Sequence, residues 1–230
     1  MLCIFNKIQY IKRLLRIEYL SLKKPGLYFV KSPALLTRVI YPGLTWKIPN
    51  NENKLFLTLD DGPVPGLTPW VLDVLDRFQV KATFFCVGEN VKKFPVLFSE
   101  IKNRGHQTGN HSYNHLNGWK TDLKSYILNI EKGNDLIQSA LFRPPYGRIK
   151  RSQIRSLRQQ YKIVMWSLLA GDFDGKSSPE KCVANIVRNA KSGDILLFHD
   201  SEKAKERIEV ALPRSIEMLL DKGFRFDVIV

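Results

Sequence analysis

From about residue 54 onward, short apolar runs of strand type alternate with amphipathic stretches of helical length, and this alternation constrains the fold more than any other feature. The expected strands are Lys54–Leu59, Ala82–Val87, Gln107–Asn110, Ala140–Phe142, Lys162–Trp166, Asp194–Phe198 and Phe224–Val230. Between them lie expected helices near Thr68–Phe78, Asn90–Arg104, Asp122–Ser139, Arg151–Gln160, Pro179–Ala190 and Ala204–Asp221, several opened by Thr, Asn, Ser or Pro. Strands separated by helices pair in parallel, and about seven repeats are too many for a simple open half-sheet. The pattern predicts an α/β fold, an incomplete or distorted (β/α) barrel of about seven parallel strands. In such barrels reactive groups sit at the C-terminal ends of the strands. The polar residues of this chain cluster there.

With 230 residues, 44% of them hydrophobic, the chain can bury one sizeable core. It divides into a basic N-terminal extension, residues 1–50, and a β/α domain, residues 51–230. Cys3, Cys86 and Cys182 are odd in number and widely spaced, so no disulfide is assigned. Cys86 lies in an apolar run and reads as a buried, inert thiol. A net charge of +14 implies anionic partners, yet no aromatic-interleaved basic motif is present, so nucleic acid is not expected. Ile4, Ile8, Ile11 and Leu15 recur at helical spacing among Lys7, Lys12, Arg13 and Arg16. Such a basic amphipathic helix can make peripheral contact with an anionic membrane, or it can pack its apolar stripe on the domain. No stretch approaches the roughly 20 apolar residues of a membrane span, and no signal-peptide core with a cleavage site is evident. A cytoplasmic or peripheral-membrane location is therefore expected.

Thr58-Leu59-Asp60-Asp61-Gly62-Pro63 closes the first strand with adjacent carboxylates before a Gly-Pro turn. Neighbours at a strand end point in different directions, so one acid can bind a metal while the other reaches a water; Asp-Asp-Gly is also a common turn. His111 and His115 follow the third strand at a spacing that puts both imidazoles on one face of a helical turn, close enough to share an ion at roughly 2.0–2.1 Å. Two imidazoles and one carboxylate leave a tetrahedral ion an open position, as a catalytic site requires. Arg143-Pro144-Pro145-Tyr146-Gly147 is a rigid loop that leaves Arg143 to orient a carboxylate. Trp166 to Phe173 includes an acid beside an aromatic, and Leu196-Leu197-Phe198-His199-Asp200 ends a strand with a histidine. His106 reads as a structural, hydrogen-bonded residue.

Taken in order, these motifs resemble the polysaccharide deacetylases of carbohydrate esterase family four, including chitooligosaccharide deacetylase-like domains, from about Leu55 to Val230. The family's Thr-Phe-Asp-Asp appears as Thr58-Leu59-Asp60-Asp61, its His-[Ser/Thr]-x-x-His as His111 to His115, its Arg-Pro-Pro-Tyr-Gly at 143–147 and its Leu-x-His as Leu197-Phe198-His199. The resemblance implies a metal-dependent hydrolase that removes acetyl groups from N-acetylglucosamine-type units of a glycan or oligosaccharide. It assigns Asp61, His111 and His115 to a divalent metal, usually Zn2+, with Co2+ or Ni2+ able to serve. Asp60 is then the general base, aimed by Arg143, and His199 the general acid, supported by Asp172. The backbone N–H of Tyr146 joins in stabilising the oxyanion, while Leu197 and Phe173 form the pocket for the acetyl methyl. Phe173 stands where the family usually has Trp, and Leu169 where it often has an acid, which bears on substrate fit. Alternatives are an O-acetyl esterase or small-amide hydrolase on the same site, and a catalytically silent glycan-binding protein.

Overall fold

The computed structural model describes residues 30–32, 41 and 43–230. The expected basic helix within the first twenty residues, and Cys3, lie outside them.

All strand pairings are parallel, and the sheet runs in the order β5-β4-β3-β2-β1-β7-β6, with β8 beside β1. The strands are β1 (Lys54–Asp60), β2 (Thr83–Cys86), β3 (Gln107–Asn110), β4 (Leu141–Phe142), β5 (Lys162–Ile163), β6 (Leu168–Leu169), β7 (Ile195–His199) and β8 (Arg225–Phe226). The helices that cover them are α1 (Thr68–Arg77), α2 (Gly88–Lys93), α3 (Pro95–Asn103), α4 (Leu123–Ile137), α5 (Arg151–Leu157), α6 (Pro179–Val187) and α7 (Lys205–Asp221). This is the curled, incomplete (β/α) barrel that the alternation predicts. Among the described residues no helix is long and apolar enough to cross a membrane.

Several boundaries differ from expectation, among them the last strand, expected over Phe224–Val230 and paired only over Arg225–Phe226. The helix expected over Asn90–Arg104 is two, α2 and α3, because Pro95 has no N–H to continue the ladder and starts the second helix instead. The run expected as one strand, Lys162–Trp166, pairs as a strand only over Lys162–Ile163, and Leu168–Leu169 forms a separate strand on the far side of the sheet against β7. With both faces buried, the apolar run offers no polar break to mark where one strand ends.

The period of two along each strand decides what enters the barrel. Leu55, Leu57 and Leu59 of β1, Phe84 and Cys86 of β2, and Leu196 and Phe198 of β7 pack outward in the main core, which also holds Val71, Leu72 and Leu75 of α1 and Ile208 and Leu212 of α7. Phe56, Phe85, Leu141, Val164, Ile195 and Ile229 make a smaller cluster on the other face. Thr58 and Asp60 share that inner face with Phe56, as Leu197 and His199 share it with Ile195. A third cluster, with Tyr126, Ile130, Phe142 and Ile154, seats α4 and α5.

Described residues preceding β1 pair with both edges of the sheet. On the β6 side, Leu169 N donates to Val30 O at 2.9 Å and Ser32 N to Ser167 O at 2.9 Å. Beyond β5, Thr45 N donates to Ile163 O at 2.8 Å and Met165 N to Thr45 O at 2.7 Å.

Candidate active site

Asp60 and His199 are Cα partners in the β1–β7 ladder. Side chains in register on adjacent parallel strands point to the same face, so an acid and an imidazole stand side by side at the C-terminal end of the sheet. Asp60 is 3% exposed. Its Oδ1 accepts from Arg143 Nη1 at 2.6 Å, and Arg143, wholly buried, also donates to Thr58 Oγ1 at 2.7 Å and to the Met165 carbonyl at 2.9 Å. Burial alone pushes the Arg143 guanidinium down, and the Asp60 charge opposes this.

Past the β1 end the chain turns sharply. Asp61 has φ of 85° and Gly62–Pro63 is a cis peptide. The turn is fixed by Asp200, whose Oδ1 accepts from Gly62 N at 3.1 Å and whose Oδ2 accepts from Thr68 Oγ1 at 2.7 Å. A Cβ on Gly62 would lie 2.0 Å from Asp200 Oδ2, so the close approach requires glycine. Burial drives the Asp200 carboxyl up to about 8, against the opposing pull of its bond from Thr68.

The turn brings Asp61 to the imidazoles of His111 and His115. Asp61 Oδ1 lies 3.2 Å from His115 Nε2 and 3.7 Å from His111 Nε2, and one ligand atom from each of the three residues falls within 4.8 Å of the others. His111 Nδ1–H donates to the Arg143 carbonyl at 2.8 Å, a bond that turns Nε2 into the free lone pair facing Asp61. Burial lowers the His111 pKa to about 4, keeping the ring neutral. Burial raises the Asp61 pKa, but the His115 hydrogen bond and nearby imidazole charge outweigh it and hold the carboxyl well below its usual range. An ionised carboxylate and imidazole nitrogens are donors that suit a divalent cation, so the donor set fits one.

The histidine pair converges by a different route from the expected helical turn. Residues 111–117 form a loop in which Ser112 and His115 both have positive φ, 63° and 60°. Asn110, wholly buried, accepts from Ser112 N at 2.8 Å and pins its start.

Across the site, His199 Nδ1 is 2.8 Å from Asp172 Oδ1, and His199 N donates to Asp172 Oδ2 at 2.7 Å. Burial would lower the His199 pKa; the charge and hydrogen bond of Asp172, with Asp61 and Asp60 beyond, raise it to about 9. Phe173 meets the imidazole edge-on, ring centroids 5.1 Å apart. Leu197 is buried in β7, and Leu169, where the family often has an acid, is buried in β6 opposite it. Tyr146, at φ 59°, is 58% exposed with its ring 4.5 Å from that of His115.

His106 lies apart from this set, at the opposite end of β3, where its Nδ1 accepts from Ala82 N at 3.2 Å and its ring packs on Phe84. The thiols of Cys86 and Cys182 are free and buried, and burial raises both pKa values. Thr58 and Asp200 stood inside the sequence motifs without a role, and Asn110 closed an expected strand without one. For Asp200 there was a signal, a charge directly following His199 at the end of an apolar run.

The parallel half-barrel carries an Asp-His-His set that could hold a metal ion, with Asp60 and His199 beside it. Residues 47–164 match the polysaccharide deacetylase family, and the chain belongs to it. It is 37% identical over 190 residues to a peptidoglycan-N-acetylglucosamine deacetylase of Bacillus cereus, covering 80% of this chain and 89% of that protein. A chitooligosaccharide deacetylase of Azorhizobium caulinodans is 29% identical over 167 residues, covering 69% of this chain and 79% of the relative. Among solved structures, a peptidoglycan N-acetylglucosamine deacetylase superposes with a TM-score of 0.77 at 35% identity, covering 81% of this chain and 91% of the other.

Proposed function

We propose that the protein hydrolyses the N-acetyl groups of N-acetylglucosamine-type units in a glycan, releasing acetate and leaving a free amine. The observation that carries this reading is the placement of Asp60 and His199 on adjacent strands beside the Asp61, His111 and His115 set. A divalent cation held by those three residues, zinc in this reading, supplies Lewis acidity toward the amide carbonyl and makes water a nucleophile at neutral pH.

The chain's own groups do the rest. Asp60, aimed by Arg143, takes a proton from the attacking water. The carbonyl carbon becomes tetrahedral, and its oxyanion receives the Tyr146 N–H. His199, protonated because of Asp172, gives its proton to the amide nitrogen as the C–N bond breaks, so the amine leaves neutral. Leu197 and Phe173 border the space for the acetyl methyl, a pocket too apolar for a charged acyl group. The basic residues before position 50 support contact with an anionic membrane, which sedimentation with anionic vesicles tests.

The deciding experiment measures acetate released from a panel of N-acetylated oligosaccharides with and without zinc, for the wild type and Asp60→Asn. Zinc-dependent release is expected in the wild type, with the variant inactive at unchanged metal content. Near-normal release by Asp60→Asn would remove Asp60 from its role. Faster release from O-acetylated xylan than from any N-acetylated sugar would favour the esterase.

A further inference from the structure

We infer that Arg148 is a carboxylate-binding residue at the mouth of the cleft, forming a subsite for an anionic sugar next to the one that is deacetylated. This deepens the deacetylase reading and rests on it for the identity of the ligand as a glycan.

The Arg148 guanidinium carbon lies 5.3 Å from the centroid of the Trp119 ring and 6.0 Å from that of Tyr146. Tyr146 in turn meets His115, so the cation stands one aromatic ring away from the Asp-His-His set. The local backbone holds it there. Arg148 N donates to Pro145 O at 3.1 Å, Trp119 Nε1 donates to the Ile149 carbonyl at 3.3 Å, and a Cβ on Gly118 would come 2.4 Å from the Arg148 carbonyl oxygen.

Rings stack against the guanidinium faces and leave its in-plane N–H fork to hydrogen-bond. Among the described residues that fork meets no carboxylate. Arg104, by contrast, pairs with Asp73, Asp76 and Glu100, and Arg143 pairs with Asp60. Along the chain the charge is of one sign: Pro144 to Gly171 carries Arg148, Lys150, Arg151, Arg155, Arg158 and Lys162 without one Asp or Glu. Lys150 Nζ reaches Thr121 O at 2.7 Å, in a turn that bears Lys120 and Asp122. Such a field concentrates a polyanion, and the fork matches a carboxylate in two-point geometry. Aromatic faces flanking the cation suit a sugar ring better than a lipid headgroup. The ligand is therefore a glycan whose sugars carry carboxylate substituents, such as the lactyl ether of N-acetylmuramic acid; a neutral chitin oligomer has nothing to offer the fork.

The test measures equilibrium binding to zinc-loaded Asp60→Asn protein, which holds its ligand without turnover. The probes are an oligosaccharide alternating N-acetylglucosamine with N-acetylmuramic acid, and the same oligosaccharide methyl-esterified at its carboxylates. The free acid is expected to bind about tenfold more tightly, and adding Arg148→Gln should erase that preference. Arg148→Lys should restore part of it, and Arg155→Gln, altering an exposed cation of α5, should leave it in place. The inference is overturned if there is no initial preference, if it survives Arg148→Gln, or if Arg155→Gln removes it equally, which would indicate a diffuse field. Loss of phosphatidylglycerol vesicle binding in Arg148→Gln with the glycan preference intact would assign the residue to a membrane and likewise overturn it. Acetate release from neutral chitooligosaccharides by the wild type checks the deacetylase reading separately.

Discussion

Arg143 and Asp60 meet inside the barrel at 2.6 Å, an ion pair made by a wholly buried guanidinium whose remaining donors go to Thr58 Oγ1 and to the carbonyls of Val164 and Met165. Removing one partner of a buried pair leaves the other charge unsolvated, at a cost of about 3–5 kcal/mol. Arg143→Met should therefore lower the thermal unfolding temperature markedly as well as abolish turnover. Arg143→Lys retains the charge without the fork and should fold better than Arg143→Met while remaining poorly active. Circular-dichroism melting of both variants checks the order.

The Asp172–His199 pair should set the alkaline limit of activity. His199 is protonated below about 9 because Asp172 overcomes the effect of burial. A raised imidazole pKa means that the pair's contribution to folding is complete below the unfolded value, about 6.5, and is lost as pH rises through about 9. Activity should fall over the same alkaline range, shifted downward by whatever positive charge a bound cation adds. In Asp172→Asn burial wins, and the limb of the kcat profile should move to lower pH by more than one unit. An unmoved limb would mean that another group supplies the proton.

Gly62 and Asp200 are in contact so close that no side chain fits between them. Gly62→Ala must displace the Asp200 carboxylate, break its bonds to Gly62 N and Thr68, and shift the turn that carries Asp61. Zinc affinity should weaken about 10–100-fold, as when a partner supporting a metal ligand is lost. Competition with a chromophoric chelator reads this directly.

Chelation should silence the enzyme reversibly. It should also lower its melting temperature, because a ligand that binds only the folded state stabilises it by about 2.7 kcal/mol at a hundred times its dissociation constant. Zinc added back should restore both acetate release and the melting temperature. A protein whose melting is indifferent to chelator would not use the Asp61, His111 and His115 set for a cation.

What was legible in the sequence was what local pattern dictates. β3 runs from Gln107 to Asn110 as expected, and α1, α4, α6 and α7 lie within a few residues of their expected ends. The expected first and penultimate strands stopped one residue short of Asp60 and His199, which the period of two puts on the inner face with Phe56 and Ile195. The spacing of His111 and His115 picked out a pair that does converge, although through two left-handed residues, Ser112 and His115, whose φ values nothing in their side chains announces. The contacts between strands distant in the chain were hidden: Thr58 beneath Arg143, Asp200 locking Gly62, and Leu168–Leu169 pairing beyond β7. Each depends on partners 80 or more residues apart, or on a strand of only two residues, and neither leaves a local period to read.

The segments around Val30–Ser32 and Thr45 have a consequence for life in concentrated solution. By occupying the outer hydrogen-bonding groups of β6 and of the chain beyond β5, they hide two rows of backbone donors and acceptors that would otherwise template another strand. A truncation beginning at Ile48 would keep every side chain of the Asp-His-His set but bare both flanks, and it should self-associate where the full chain stays dispersed, as light scattering during refolding would record.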